Sequence, residues 1–150
     1  MLPSQAHRVE ELMARLQAAG HRLTPQRLAV MRALVADASH PSVERLHAAV
    51  QAEHPGTGLA TVYNTLDLLQ SLGEVLVLDF GEGFKRYDGR CGRPHAHLVC
   101  AVCGRVEDAG GIDLTTLPAE VAHRNGYRLL DHRLDLRGLC PQCQAGDADG

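Results

Sequence analysis

The stretch HAHLVCAVCG spans residues 95–104 and places two histidines and two cysteines within nine positions. Ala96–Cys100 reads as a strand, and side chains two positions apart on a strand lie on one face, so His95 and His97 are predicted to point the same way. Cys100 and Cys103 then form a Cys-x-x-Cys turn before a second predicted strand, Arg105–Asp108.

A second Cys-x-x-Cys pair, Cys140 and Cys143, lies close to the end of the sequence. Four thiolates on two tight turns are the ligand set of a closed, tetrahedral structural zinc site. A redox dithiol is disfavoured, because a thioredoxin-like motif requires a βαβ setting that neither pair has. The site predicted from Cys100, Cys103, Cys140 and Cys143 joins the beginning of the second half of the chain to its end.

Between the two cysteine pairs the pattern predicts a mixed α/β domain. Leu117–Arg124 has helical periodicity, and Tyr127–Leu136 alternates like one long strand. The tail from Gln144 to Gly150 is small and polar, and we predict that it is frayed. We assign residues 95–150 to this domain.

Towards the N-terminus the pattern changes to helices. Apolar residues recur with helical spacing from Arg8 to Ala19, from Pro25 to about Asp37, from Val43 onward and from Leu59 to Leu72. Thr24 and Ser42 are predicted N-caps. Two short strands, Val75–Phe80 and Phe84–Tyr87, flank the turn at residues 81–83.

Helices followed by a hairpin are typical of a winged helix-turn-helix domain, which we assign to residues 1–88. Residues 89–94, rich in glycine and proline, form the predicted linker. The predicted fold class is therefore α+β, with a winged helix followed by a small α/β domain.

Composition limits the class of protein. The 150 residues include 15 Lys and Arg against 18 Asp and Glu, 45% hydrophobic residues and 3% aromatic residues. This excludes a disordered chain and an aromatic platform for single-stranded nucleic acid. A net charge of −3 argues against DNA binding at first sight, although local basic patches matter more than the total. No apolar run is long enough to span a bilayer and no signal peptide is evident, so we expect a cytoplasmic protein without a membrane partner.

A second group of metal-ligating residues has different chemistry. His95, His97 and Asp108 lie on neighbouring predicted strands, Asp88 precedes them, and His40 lies far upstream. Imidazole and carboxylate ligands suit iron, manganese or zinc rather than calcium. Two alternatives stay open: Cys91 with His95, His97 and one carboxylate would prefer zinc, and Glu107 adjoins Asp108 and has the same chemistry.

Six segments together resemble the ferric uptake regulator family: LTPQR (23–27), HPS (40–42), ATVYNTL (60–66), KRYD (85–88), HAHLVCAVCG (95–104) and GLCPQC (138–143). The resemblance covers nearly the whole chain. It implies a homodimeric, metal-sensing repressor that binds a palindromic DNA operator. It also implies a structural Zn²⁺ and a regulatory Fe²⁺ or Mn²⁺, with Zn²⁺ as an alternative regulatory metal.

The same resemblance implies which residues contact DNA. The helix containing residues 60–66 corresponds to the DNA-reading helix, with Val62 and Leu66 in the core. Hydroxyl and amide side chains bind phosphates and bases, and basic side chains bind phosphates. The implied DNA contacts are Thr61, Tyr63, Asn64, Arg22, Arg27, Lys85 and Arg86.

Within the family, the ligand set is most similar to the peroxide-sensing branch. Asp108 stands in place of glutamate and Asn64 where iron-uptake members usually carry arginine, while His40 and His95 match the positions that peroxide oxidises. A zinc- or manganese-uptake regulator is the alternative. From other classes, we considered a zinc-stapled enzyme and a protein-interaction module; a nucleobase deaminase would need a His-x-Glu that His95-Ala-His97 does not provide.

Overall fold

A computed structural model describes residues 4–147. In its first part, helices begin where the sequence supplies a cap. The side chains of Ser4, Thr24 and Ser42 each accept a hydrogen bond from the backbone amide three residues further on. The helices are α1 (Gln5–Ala18), α2 (Pro25–Ala36), α3 (Val43–Glu53) and α4 (Leu59–Ser71). Because Ser4 is the cap, α1 begins three residues earlier than predicted.

A hairpin follows α4 and completes the winged helix. Strands β1 (Leu76–Leu78) and β2 (Arg86–Asp88) pair antiparallel, with Leu76 opposite Asp88 and Leu78 opposite Arg86. Both strands are shorter than predicted. The apolar faces of the helices and the hairpin share one buried core, which includes Leu12, Leu16, Met31, Leu34, Leu46, Val62, Leu66, Leu69 and Tyr87. The predicted winged-helix fold is confirmed.

The later part of the chain contains a three-stranded sheet with β3 (Ala96–Cys100) in the centre. Strand β4 (Val106–Ala109) pairs with it antiparallel and β5 (Asp135–Gly138) pairs with it parallel. Helix α5 (Thr116–Arg124) lies between β4 and β5 in the sequence, and α6 (Pro141–Asp147) follows β5. This is the expected small α/β domain.

Two predictions for this region were wrong. The predicted strand Tyr127–Leu136 is regular only from Asp135, because β3 begins at Ala96 and its last upstream bond runs from the His97 amide to the Leu134 carbonyl. Residues 127–133 therefore have no neighbouring strand to pair with among the described residues. The tail is helical up to Asp147 rather than frayed, and residues 148–150 lie outside the described part.

Residues up to Arg93 and residues from Pro94 onward form two compact units. Most of the segment predicted as a linker thus belongs to the first unit. The Arg8 Nε atom donates to the Gly89 carbonyl at 2.9 Å, and a Cβ atom at Gly92 would lie 2.7 Å from the Gly73 carbonyl. The segment therefore packs on the body of the winged helix. No helix within residues 4–147 is both long and apolar enough to cross a membrane.

Candidate metal centres and DNA-binding surface

The four paired cysteines converge in the second unit. Cys100 ends β3, Cys103 lies in the following turn, Cys140 precedes α6 and Cys143 lies within it. Their sulfur atoms all lie within 4.8 Å of one another, and the Cys103 and Cys140 sulfurs are 3.8 Å apart. A tetrahedral zinc ion with bonds of about 2.3 Å places its sulfur ligands about 3.8 Å apart. The cluster fits zinc in both chemistry and spacing.

The thiols of this cluster differ in acidity. The backbone amides of Cys103, Cys140 and Val102 stabilise the Cys100 thiolate and lower the pKa of Cys100 to about 6. The Cys143 thiol, which is hydrogen-bonded to Cys140 and partly buried, has its pKa raised to about 12. Cys100 is therefore more acidic than Cys143, and a bound cation would favour the thiolate form of Cys143.

In the first unit, His40 and Asp88 form a buried pair. The His40 Nε2 atom lies 3.3 Å from the Asp88 Oδ2 atom, and the side chains are only 3% and 1% exposed. His40 adopts a left-handed backbone with φ of 60°. That conformation is uncommon outside glycine and often occurs at functional sites. Asp88 lies at the end of β2, where its Oδ1 atom accepts from the Arg90 amide at 3.1 Å.

In the second unit, His95, His97 and Asp108 come together. The Nε2 atoms of His95 and His97 lie 2.9 Å and 3.4 Å from the same Asp108 Oδ1 atom. Their ring centroids are 4.5 Å apart, as expected for side chains on one face. The register of the sheet explains this, because His97 lies directly opposite Asp108.

The same register identifies a residue that sequence reasoning missed. Asp135 on β5 lies opposite His97 on the other side of β3, and its Oδ1 atom is 3.7 Å from the His97 Nδ1 atom. This separation is longer than a hydrogen bond, but a carboxylate that closes onto the second nitrogen of a metal-ligating histidine fixes the orientation of the ring. The sequence signal was weak, because the pairing of β5 with β3 is long-range.

The two alternative ligands lie in other surroundings. Glu107 is exposed and forms an ion pair with Arg105 at 3.4 Å, and as the neighbour of Asp108 on the strand it faces the opposite side of the sheet. Cys91 is half-buried in the first unit. It lines an open cavity of about 750 Å³, whose walls include Arg8, Arg15, Arg90 and Glu74.

Helix α4 carries three of the seven residues that were predicted to contact DNA. Tyr63 is 40% exposed and Asn64 is also exposed, whereas Val62 and Leu66 are fully buried. Thr61 is half-buried, and its carbonyl accepts from the Thr65 hydroxyl at 2.8 Å. The core and surface faces of this helix are therefore as predicted.

The predicted basic contacts differ from one another. Arg22 and Lys85 are exposed, and Arg27 donates to the Arg22 carbonyl at 2.6 Å. Arg86 is only 17% exposed in its side chain and forms a fork with Glu82, at 2.8 Å and 2.9 Å. The hydrogen bond from Arg86 lowers the pKa of Glu82 and the bond to Glu82 raises the pKa of Arg86. Arg86 thus has a protein partner of its own.

Comparison with known proteins identifies the class. Residues 18–137 match the model of the ferric uptake regulator family, and the chain belongs to that family. It is a metal-responsive transcriptional regulator and not an enzyme, so the predicted family is confirmed and the enzyme alternative is excluded.

Individual relatives show which branches are similar. The peroxide-responsive repressor PerR of Staphylococcus aureus strain USA300 is 32% identical over 143 residues, covering 95% of this chain and 96% of the relative. The structure of a zinc-bound manganese uptake regulator is 32% identical with a TM-score of 0.65, covering 88% of this chain and 98% of that one. The Helicobacter pylori ferric uptake regulator, described with three functional metal-binding sites, has a TM-score of 0.74 at 22% identity. It covers 95% of both chains and bears on the fold alone.

Proposed function

We propose that this protein is a metal-dependent repressor that binds a palindromic DNA operator as a homodimer and releases it when peroxide oxidises the regulatory site. The observation that carries the proposal is the nitrogen and oxygen ligand set. One unit supplies the buried His40 and Asp88, and the other supplies His95 and His97 on a shared Asp108 carboxylate.

This ligand set favours iron or manganese over a thiolate-preferring metal. In the proposed site, all five residues bind one ion, so the ion favours one arrangement of the two units. The ion can raise DNA affinity only by as much as it binds this arrangement more tightly than the other arrangements of the two units. Asp108 orients the imidazoles of His95 and His97. Asp135 lies near the Nδ1 atom of His97, on the side of the ring away from Asp108.

Held by these five residues, ferrous iron would supply the redox chemistry that activates hydrogen peroxide beside the imidazoles. In the net change, one peroxide oxygen enters the C–H bond of an imidazole ring carbon, which is oxidised by two electrons, and the other oxygen leaves as water. His40 and His95 are the proposed targets. The oxidised ring is a poorer metal ligand than imidazole, so the metal is released. Without the metal, the protein no longer prefers the DNA-binding arrangement of its two units. Manganese would occupy the same residues without this reaction.

On the DNA side, the proposed reading helix is α4. Its exposed Tyr63 and Asn64 can donate to phosphates or base edges, while Val62 and Leu66 anchor it to the core. Arg22, Arg27 and Lys85 are the proposed phosphate contacts. A helix-turn-helix dimer places its two reading helices in successive major grooves of a palindromic site.

Exposed apolar surface supports the proposed homodimer. Tyr127 and Leu130 are 77% and 81% exposed, and α5 presents Leu117 and Val121 to solvent. Tyr127 and Leu130 belong to residues 127–133, which have no neighbouring strand within the described residues. A second copy of this chain would cover both features by a symmetric contact. Sedimentation of the Leu130→Glu variant should then give a monomer under conditions where the wild type is a dimer.

The test of the function uses a DNA duplex selected from a random library by the Mn²⁺-loaded wild-type protein. We expect His95→Ala to lose metal-dependent binding and to keep its fold and its structural zinc. Undiminished DNA affinity in His95→Ala would refute the role of this site.

For peroxide sensing, the iron-loaded protein should gain one oxygen on a peptide containing His40 or His95, and the manganese-loaded protein should not.

A manganese-uptake regulator is the second candidate, favoured by the similarity to the manganese uptake regulator at 32% identity. This candidate predicts that Mn²⁺ promotes operator binding. It also predicts that peroxide does not change DNA binding by the Mn²⁺-loaded or the Fe²⁺-loaded protein. A zinc-uptake regulator would instead require Cys91, so zinc-dependent DNA binding that disappears in Cys91→Ser would support that reading.

A further inference from the structure

Arg86 lies on β2, close to the turn at residues 81–83 of the β1–β2 hairpin, which we call the wing turn. Only 17% of its side chain is exposed. Its Nε and Nη2 atoms donate to the two carboxylate oxygens of Glu82 at 2.8 Å and 2.9 Å. Its Nη1 atom donates to the Ser39 and His40 carbonyls at 3.3 Å and 3.2 Å. One side chain thus connects the wing turn to the backbone of a proposed metal ligand.

The loop that carries His40 is fixed at both of its ends. At the α2 end, Asp37 accepts from the Ser39 amide at 2.9 Å and forms an ion pair with Arg45 on α3 at 2.5 Å. At the α3 end, the Pro41 carbonyl accepts from the Tyr87 amide of β2 at 3.0 Å. Between these anchors His40 has its left-handed backbone, and Arg86 holds the carbonyl of that residue.

All three nitrogens of the Arg86 guanidinium therefore have protein acceptors. These bonds use four of the five N–H groups of the guanidinium, so a phosphate could be bound bidentately only by displacing the backbone carbonyls or the Glu82 carboxylate fork, which is the strongest of these contacts. It would also have to approach the negative charge of Glu82. Lys85, the preceding residue, is exposed and is better placed for a phosphate.

We infer that Arg86 is a positioning residue that couples the metal-binding loop at His40 to the wing turn at Glu82, rather than a DNA contact. This inference rests on the proposed function, in which His40 binds the regulatory metal and the wing lies near DNA. Metal binding fixes the backbone at His40, the guanidinium transmits that position to Glu82, and the wing is held in its DNA-binding position. Coupling of this kind is reciprocal, so DNA also tightens metal binding.

The arginine fork is the feature to test, because lysine keeps the charge and loses the planar, bidentate geometry. We would compare Arg86→Lys, Glu82→Gln and the control Lys85→Ala. Each variant is titrated with the library-selected duplex, with and without Mn²⁺, over a series of salt concentrations. The ratio of the two DNA affinities gives the coupling, and the slope against salt counts phosphate contacts.

We expect Arg86→Lys to lower the metal-dependent gain in DNA affinity at least fivefold without changing the salt slope. Glu82→Gln should lower it similarly, although removing a negative charge near DNA strengthens binding without metal. Lys85→Ala should reduce the salt slope by about 1.8, which is about 0.9 for the phosphate contact of each subunit in the dimer, and should leave the gain within twofold of the wild type.

Two results would overturn the inference: a full metal-dependent gain in Arg86→Lys or Glu82→Gln, or a loss of salt slope in Arg86→Lys like that of Lys85→Ala. Glu82→Gln changes one group on an exposed turn and so gives the answer if Arg86→Lys unfolds. Failure of the proposed function is distinguishable, because the wild type would then show no metal-dependent gain.

Discussion

Gly89 follows the proposed metal ligand Asp88 and packs directly on the core of the first unit. A Cβ atom at this position would lie 2.4 Å from the Cδ2 atom of Leu34, which is fully buried. The Gly89 carbonyl also accepts from Arg8, whose guanidinium bonds the Glu74 carbonyl at 2.7 Å. The absence of a side chain here keeps the end of β2, and therefore Asp88, close to the helices.

We expect Gly89→Ala to lower the free energy of unfolding by about 1–3 kcal/mol, because overpacking a filled core forces its neighbours to move. Gly56→Ala is the control, since a Cβ atom there meets nothing within 4 Å, and its effect should stay within about 0.5 kcal/mol. Urea denaturation measures both. Equal free energies of unfolding for the two variants would show that the Leu34 side chain moves aside at little cost.

At the level of elements, the central strand β3 determines the arrangement of His97 and its neighbours in the proposed regulatory metal site. Because β3 is paired on both sides, His97 lies between Asp108 on β4 and Asp135 on β5. A shift of one residue in either pairing would move one carboxylate to the other face. The sheet register thus places both carboxylates beside His97.

The support from Asp135 is directly testable. We expect Asp135→Asn to weaken Mn²⁺ binding about tenfold, because the amide no longer stabilises the orientation and basicity of His97. Metal titration measures the affinity, and the zinc content should stay at the wild-type level. An unchanged Mn²⁺ affinity would mean that Asp135 serves the sheet alone.

The loop between α2 and α3 depends on another carboxylate. Burial raises the pKa of Asp37, but hydrogen bonds from Ser39 and the charge and hydrogen bond of Arg45 outweigh it and lower the pKa overall. A depressed pKa in the folded state contributes stability above the unfolded value of about 4, and this is lost as the pH falls through the folded value.

Asp37→Asn should therefore cost about 1 kcal/mol at pH 7, a modest value because Arg45 is mostly exposed and water screens its charge. The difference from the wild type should shrink as the pH falls below about 4. Urea unfolding across this range measures it, with the exposed Asp67→Asn as a control of little effect. A difference independent of pH would rule out the ionised carboxylate as the cause.

At the level of the whole molecule, the two units differ in how they are stabilised. The first has a large apolar core built from all four helices and the hairpin. Among the described residues from Pro94 onward, the buried apolar side chains are only Ala96, Cys100, Val106 and Leu114. Such a small core needs additional stabilisation, which a zinc ion bound by the four-cysteine cluster would provide.

Removal of zinc should therefore unfold the second unit and spare the first. We expect a strong chelator, or Cys103→Ser, to abolish hydrogen-exchange protection in β3 and β5 while α2 and α4 stay protected. Cys91→Ser, outside the cluster, should behave like the wild type. Protection of β3 that survives complete zinc removal would contradict a structural role for the metal.

The sequence alone was enough for the features that depend on local spacing. N-caps three residues from their amides, apolar residues at helical intervals and cysteines three positions apart all act within one or two turns of chain. These patterns predicted the winged helix and the two Cys-x-x-Cys turns, and they placed Asp108 on the strand that follows His97. The length of β5 was not predictable in this way, because a strand extends only as far as its partner does.

Tertiary structure decided the features that join distant residues. Asp135 faces His97 because β5 pairs with β3, and Gly89 lies against Leu34 because β2 packs on α2. Arg86 reads in the sequence as a basic wing residue like Lys85, and only the folded chain shows it bound to Glu82 and to the His40 carbonyl. The sequence specifies the charge of such a side chain. Which group that charge binds depends on contacts between distant residues, and these form only when the chain folds.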